Sequence, residues 1–349
     1  MTTPSPALRA KLDGLARSRG ILDLLAKIVA PPKGAAPPPR VIHLALLWGI
    51  GDAVTALPLI HAIKRKWPAA RLVLLGKAWL CDLFADEGTE FGTLEAPWTA
   101  FSGKYRLWDR SWRRFARQLA AIRRRPADLW INFRLDPRDV ILARCSGARS
   151  IAGFSAAGAG RWLAYDFPVD AESFLKLYSG AVAAGLAQAI TGERPAAIPE
   201  FANLPPRTRD RRRVIVAFGA SHPIRRWDPA KIACVVDGLR GRGLDVTTID
   251  ESWRGGLNDL KAAIAQADLF VGADSGPLHI ASALNVPTIA VFGPGSLDRF
   301  APRRISDRAL AEPIACRPCF DQCPYATPLC LDRLEPAGVL AEIDALLST

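Results

Sequence analysis

The sequence predicts an α/β protein built from two Rossmann-like halves facing a central cleft. Short apolar runs of strand length alternate with segments of helical periodicity, a pattern that implies parallel sheets with helices on both faces. The alternation becomes irregular over residues 155–205 and restarts after a Pro-rich stretch from Pro195 to Pro206. A length of 349 residues suits two domains, each long enough to bury its own core. The expected organisation is a basic amphipathic extension and Pro-rich linker over residues 1–40, a first domain over 41–205 and a second over 206–349.

Taken in order, the first 30 residues read as amphipathic helix: Leu8, Leu12 and Leu15 recur at helical spacing, as do Leu22, Leu25, Ile28 and Val29. Pro31–Pro39 reads as an extended linker. Val41–Leu47 is the first buried strand, followed by the glycine-flanked turn Trp48-Gly49-Ile50-Gly51-Asp52 and a helix over Val54–Trp67. A strand at Arg71–Leu75, a helix near Trp79–Ala85, an Arg-rich helix at Asp109–Arg125, a strand at Asp128–Phe133 and a helix near Pro137–Cys145 follow. One helix is expected around Ser173–Ala189. The second series places strands at Val214–Phe218, Asp245–Ile249, Asp268–Ala273 and Val286–Phe292. Its helices are expected at Asp228–Arg240, Asn258–Ala267, from Gly276 onward, and at Pro336–Leu347.

Half of the residues are hydrophobic, which excludes a disordered chain. No apolar run approaches the roughly 18–20 residues of a membrane span. Ile21–Ala30 is interrupted by Asp23 and Lys27 and makes a poor signal-peptide core, so a cytoplasmic protein is expected. The formal charge of +12 is unevenly spread. Residues 1–40 hold seven Lys/Arg against two Asp, residues 104–125 hold nine against Asp109, and Arg207–Arg213 adds five Arg around Asp210. Such clusters favour anionic partners, whether nucleic acid, acidic lipid or phosphorylated ligands, or are simply the solvated surface of an Ala/Arg/Pro-rich chain. The N-terminal helix could lie on an anionic membrane surface, as a peripheral protein of the inner membrane would, or pack on its own domain. No nucleic-acid-binding module is recognisable, and nucleic acid is not an expected partner.

Two stretches carry the chemistry. In the first, Gly51-Asp52 opens a helix at the carboxyl end of the first strand. A carboxylate there can accept a proton from a substrate hydroxyl, or can simply cap the helix. In the second, the apolar strand Leu269–Ala273 runs into Asp274-Ser275-Gly276 and at once into a helix containing Leu278 and His279. That arrangement aims backbone N–H groups and the positive end of a helix dipole at a ligand, with Gly276 permitting close approach. The plainer alternative is that Asp274 or Ser275 caps the helix, and that His279 is a structural hydrogen-bonder. Gly219-Ala220-Ser221 after the strand at 214–218, with Arg225-Arg226 before the next helix, offers a hydroxyl and cations for a diphosphate, or a solvated basic turn.

These stretches resemble glycosyltransferase family 9, which includes the ADP-heptose:lipopolysaccharide heptosyltransferases. The resemblance rests on Gly51-Asp52, Pro58, Ala62-Ile63-Lys64 and Trp67-Pro68-Ala69-Ala70, and more specifically on Val271-Gly272-Ala273-Asp274-Ser275-Gly276-Pro277-Leu278-His279 with Val286-Pro287 and Ala290–Pro294. It covers roughly residues 41–335. It implies a GT-B fold and inverting transfer with no cofactor required for catalysis. Asp52 would be the general base. Gly51, Ser221, Arg225, Arg226, Asp274, Ser275, Gly276, Leu278 and His279 would bind substrate, with Asp250 or Glu251 against the nucleotide ribose. The donor would be a nucleoside-diphosphate sugar, ADP-heptose favoured, and the acceptor a glycolipid or envelope glycan of the lipopolysaccharide type. Relatives carry a Thr pair and a Lys ahead of the Trp. Here Ser221 stands for one Thr, Ala220 replaces the other and Arg225 takes the Lys position, a change that a bidentate guanidinium can absorb.

Cys316, Cys319, Cys323 and Cys330 lie within fifteen residues, interleaved with prolines. Four thiols so spaced can converge on a tetrahedral structural ion, Zn by default or Fe; they can also stay reduced or form disulfides. Similar C-terminal clusters occur in the family. Two rival readings keep part of this frame: a glycosyltransferase of the same fold that modifies protein, and a nucleotide-sugar-binding scaffold without turnover, suggested by Ala220.

Overall fold

The structure, a computed structural model, describes residues 37–99, 110–134, 136–155, 167–170, 178–204, 212–220, 222–250, 252–319 and 322–348. The amphipathic extension through residue 36, residues 104–109, Ser221 and Glu251 lie outside them. The chain divides into two compact units, one within Leu12–Ala197 and the other within Ile198–Thr349.

The first unit is a six-stranded parallel sheet: β1 (Val41–Leu46), β2 (Arg71–Gly76), β3 (Glu90–Thr93), β4 (Leu129–Asn132), β5 (Ser150–Ser155) and β6 (Phe167–Asp170), in the order β3-β2-β1-β4-β5-β6. β1 pairs with β2 on one side and β4 on the other, with Leu44 opposite Leu74 and Ile131. The strand order therefore reverses between β1 and β4. At such a reversal the chain leaves adjacent strands in opposite directions and opens a crevice at their carboxyl ends. The central strands are mostly apolar runs because both faces are covered.

The helix expected over 54–67 is two helices, α1 (Ile50–Thr55) and α2 (Leu57–Lys66), meeting at Ala56. Pro58 explains the break: it has no N–H for the i−4 carbonyl, and its ring crowds that carbonyl, so it is tolerated only in a first turn. α2 buries Leu57, Leu59, Ile60 and Ile63 and packs on α6 (Ser179–Thr191). Between them in the chain come α3 (Trp79–Leu83), α4 (Arg110–Arg123) and α5 (Pro137–Cys145). α4 turns Phe115 inward against Trp98 and Trp112, while Arg110, Arg113, Arg114 and Arg117 face solvent. Strands β3, β5 and β6 had no counterpart in the sequence reading.

The second unit is a five-stranded parallel sheet: β7 (Arg213–Ala217), β8 (Asp245–Thr248), β9 (Leu269–Ala273), β10 (Thr288–Val291) and β11 (Arg308–Leu310), ordered β11-β10-β9-β7-β8. Its reversal falls between β7 and β9. These strands approach closely at their carboxyl ends, where a Cβ on Gly272 would stand 2.3 Å from the Ala217 carbonyl oxygen. The helices are α7 (Pro229–Gly241), α8 (Leu257–Ala265), α9 (Gly276–Ala283), α10 (Leu297–Phe300), α11 (Leu329–Asp332) and α12 (Pro336–Leu347). Val214, Val216, Phe218, Trp227, Val271, Ile289, Cys330, Leu331, Val339 and Ile343 form one buried core.

Candidate active site

Each unit gathers its polar residues at its own strand reversal. In the second unit a cavity of 1040 Å³ opens there. Phe218, Gly219 and Ala220 after β7, Ile249, Asp250 and Ser252 after β8, and Pro277 on α9 line it. Arg226, Trp227 and Asp228 ahead of α7 close another side, together with Thr327, Pro328, Leu331 and Asp332. Trp227 is held by its indole N–H, which donates to the Leu331 carbonyl at 3.1 Å, and by the Phe218 ring at 5.2 Å. The Cys-rich arm thus supplies one wall of the cavity, a role that its spacing did not reveal.

Asp274, Ser275 and Gly276 stand where the sequence places them, between β9 and α9. Ser275 is the N-cap residue by position, yet its side chain makes no capping bond, and its buried hydroxyl finds no hydrogen-bond partner among the described residues. Capping therefore does not account for it. The Asp274 carboxylate, 7% exposed, lies 3.9 Å from Arg225 Nη1 and 4.0 Å from His279 Nε2. Burial pushes the His279 pKa down to about 4, so the imidazole is neutral near pH 7 and its contact with Asp274 is not an ion pair. Leu278 has a fully buried side chain and can meet a ligand only through its backbone N–H. A Cβ on Gly295 would stand 2.1 Å from Asp274 Oδ2, so the loop after β10 reaches this carboxylate only because residue 295 has no side chain.

Of the two adjacent arginines, Arg226 faces the cavity, with its Nε 3.5 Å from the Ala220 carbonyl. Arg225 ends a single 3₁₀ turn and leans on Asp274. Asp250 accepts from the Ser252 hydroxyl at 2.6 Å and its backbone N–H at 2.8 Å, bonds that hold the carboxyl below its usual pKa.

In the first unit Asp52 lies in the first turn of α1, half-buried, near the carboxyl end of β1. Gly49, not Asp52, is the N-cap residue, and the Asp52 carbonyl accepts from the Thr55 hydroxyl at 2.8 Å. Across the reversal, just beyond β4, stands a buried polar cluster that the sequence reading did not single out. Arg134, 4% exposed, reaches Asp136 Oδ2 at 2.7 Å and Asp139 Oδ2 at 3.1 Å. Trp98 donates its indole N–H to Asp139 at 3.1 Å, and Asn132 donates to the Asp139 carbonyl at 2.8 Å. Burial raises the Asp139 pKa to about 6 against the pull of Arg134, whereas Asp136 is held low by Arg138 and Arg134 despite its burial. The Trp48 ring lies 4.6 Å from the Arg134 guanidinium carbon. The signal for this cluster was the run Arg134-x-Asp136-x-Arg138-Asp139 directly after an apolar strand.

Cys316, Cys319, Cys323 and Cys330 are free thiols, two half-buried and two buried. Burial raises the Cys330 pKa, and Arg317 among the thiols opposes it. Among the described residues no group of three or more His, Cys, Asp or Glu is arranged to hold a metal ion. The expected structural ion therefore has no assembled ligand set here. No helix among the described residues is long and apolar enough to cross a membrane.

Two parallel α/β units of this kind define the GT-B class, and solved structures share the fold. One is the ADP-heptose LPS heptosyltransferase II of E. coli, at TM-score 0.64 and 18% identity over 88% of this chain and 98% of that one. Another is the E. coli heptosyltransferase WaaC with ADP-2-deoxy-2-fluoro heptose, at TM-score 0.68 and 14% identity over 87% and 99%. Residues 254–327 match glycosyltransferase family 9 (heptosyltransferase). Lipooligosaccharide heptosyltransferase 2 of Campylobacter jejuni subsp. jejuni serotype O:6 is 36% identical over 85 residues, covering 24% of this chain and 27% of the relative's length. The sequence likeness to glycosyltransferase family 9 thus lies in residues 254–327 and in about a quarter of the chain, while the fold is shared with solved heptosyltransferases over most of its length.

Proposed function

We propose that the chain is an inverting glycosyltransferase that moves a sugar, heptose favoured, from a nucleoside-diphosphate donor to a lipopolysaccharide-type or other envelope-glycan acceptor. The observation that carries the donor half is the cavity at the β7/β9 reversal. It is lined by the apolar Phe218 and Trp227 for a base, by the Asp250 carboxylate for ribose hydroxyls, and by Arg226 and the α9 N-terminus at Pro277 for a diphosphate. The ADP-heptose and ADP-2-deoxy-2-fluoro heptose of the heptosyltransferases that share this fold favour that donor.

In this reading Asp52 takes the proton from the acceptor hydroxyl as its oxygen bonds to the anomeric carbon. The bond to the diphosphate breaks, and the leaving charge is met by Arg225, Arg226 and N–H groups at the start of α9. Neutral His279 then serves as a hydrogen-bonding group at this site, not as a cation. The exposed arginines of α4 suit an anionic acceptor or the inner membrane surface that carries one. Incubation of the full chain with ADP-heptose and a heptose-deficient glycolipid tests the reading. Appearance of labelled sugar on the lipid supports it, and donor turnover with label only on protein contradicts it.

A further inference from the structure

The turn that carries Asp52 is short. β1 ends at Leu46, Leu47 is buried in the core, and Trp48-Gly49 lead directly into α1. What fixes Trp48 fixes the entry of α1, and Asp52 sits in that first turn. Trp48 stacks on Arg134 from across the β1/β4 reversal. The guanidinium is not a loose partner: it donates through one nitrogen to Asp136 at 2.7 Å, and the Asp139 carboxylate lies 3.1 Å from its Nε as an ion pair without a hydrogen bond. Each of these carboxylates is itself anchored, Asp136 by the backbone N–H of Arg138 at the start of α5 and Asp139 by Trp98. A planar cation hydrogen-bonded to one carboxylate and flanked by a second presents a defined face for a ring to stack on.

We propose that Arg134 and Trp48 are positioning residues for the reaction: the Arg134 plane, locked by Asp136 and Asp139, seats the Trp48 ring and thereby sets the direction of the α1 turn that presents Asp52. The proposal rests on the reading of Asp52 as the base. It gives a function to an ion cluster that would otherwise be a costly way to fill the carboxyl end of a central strand, since buried ion pairs are weak stabilisers against apolar residues of like volume.

The test compares kcat, acceptor KM and donor Kd for wild type, Asp52→Asn, Trp48→Leu, Trp48→Phe and Arg134→Lys. Displacing a catalytic group by about 1 Å costs on the order of 10²-fold in rate. Trp48→Leu and Arg134→Lys are expected to lower kcat by about that factor, with donor Kd and acceptor KM unchanged. Trp48→Phe, which keeps a ring over the cation, is expected to recover most of the loss. Trp48→Leu at wild-type kcat, a change confined to acceptor KM, or Trp48→Phe as slow as Trp48→Leu would each overturn the proposal. Because Trp48 is half-buried, its variants remain informative even if Arg134→Lys does not fold. Activity lost in Asp52→Asn but kept in Trp48→Leu defeats this inference alone; equal activity in Asp52→Asn and wild type defeats the reading beneath it.

Discussion

Replacing Gly295 by Ala tests how the proposed donor site is braced. The added methyl would stand 2.1 Å from Asp274 Oδ2 and 3.2 Å from its Cγ, well inside van der Waals contact. Asp274 is nearly fully buried and has a short side chain, so its carboxylate has little room to yield, with Arg225 and His279 already 3.9 and 4.0 Å away. Overpacking of this kind costs about 1–3 kcal/mol, which lowers the unfolding midpoint of a unit this size by about 2–12 °C. A displaced Asp274 carboxylate also shifts Arg225, its neighbour at 3.9 Å, and loss of one hydrogen bond from that guanidinium to a diphosphate, worth about 1.5 kcal/mol, predicts roughly tenfold weaker nucleotide binding. Differential scanning fluorimetry and calorimetric titration with ADP read the two effects. Combining Gly295→Ala with Asp274→Ala removes the oxygen that the methyl meets, so the midpoint cost of the first change should nearly vanish in that background. An unchanged midpoint with unchanged ADP affinity, or strictly additive midpoints in the double variant, would refute the reasoning.

Trp227→Phe leaves the buried Leu331 carbonyl without its indole donor and should destabilise the second unit by about 1–3 kcal/mol. Urea unfolding measures this, and the same variant should weaken nucleotide binding because Leu331 and Asp332 line the same cavity. Acid should find two buried histidines. His43 in the first unit and His279 in the second have pKa values lowered to about 4 by burial, against 6.5 ordinarily. In that window the unfolded chain binds protons that the fold refuses, so stability rises with pH from about 4 to 6.5 and is lost as pH falls. Each histidine contributes up to about 3 kcal/mol to that loss. His43→Leu and His279→Leu should each flatten the dependence of the unfolding midpoint on pH; a slope equal to that of wild type contradicts the assignment.

The fold was legible where strands are buried on both faces. β1, β4, β7 and β9 are mostly apolar runs, interrupted by His43 in β1, ended by Asn132 in β4 and begun by Arg213 in β7, and each is followed by the turn chemistry of a parallel crossover. The strands that escaped are marginal by pattern. β3 reads Glu-Phe-Gly-Thr on a sheet edge, and β11 is three residues long between charged segments. Helix α1 escaped as a separate element because periodicity runs smoothly through Ala56, and only the backbone consequence of Pro58 divides it from α2. Asp274-Ser275-Gly276 was legible because a strand-to-helix turn of that composition has a local signature. The contribution of the Cys-rich arm to the cavity was not, since it depends on Trp227 meeting Leu331 across about a hundred residues of chain. Nor was the Arg134 cluster, whose charges read as surface until the β1/β4 pairing brings Trp48 over them.

Transfer by Asp52→Asn, compared with wild type under saturating ADP-heptose and lipid acceptor, tests the central claim most directly. General base catalysis contributes about 10²–10⁴-fold, so the variant should bind ADP as wild type does while its kcat falls by that factor. Wild-type product should carry the inverted anomeric configuration. A variant that transfers at the wild-type rate, or a wild type that turns over the donor with retention, would contradict the account.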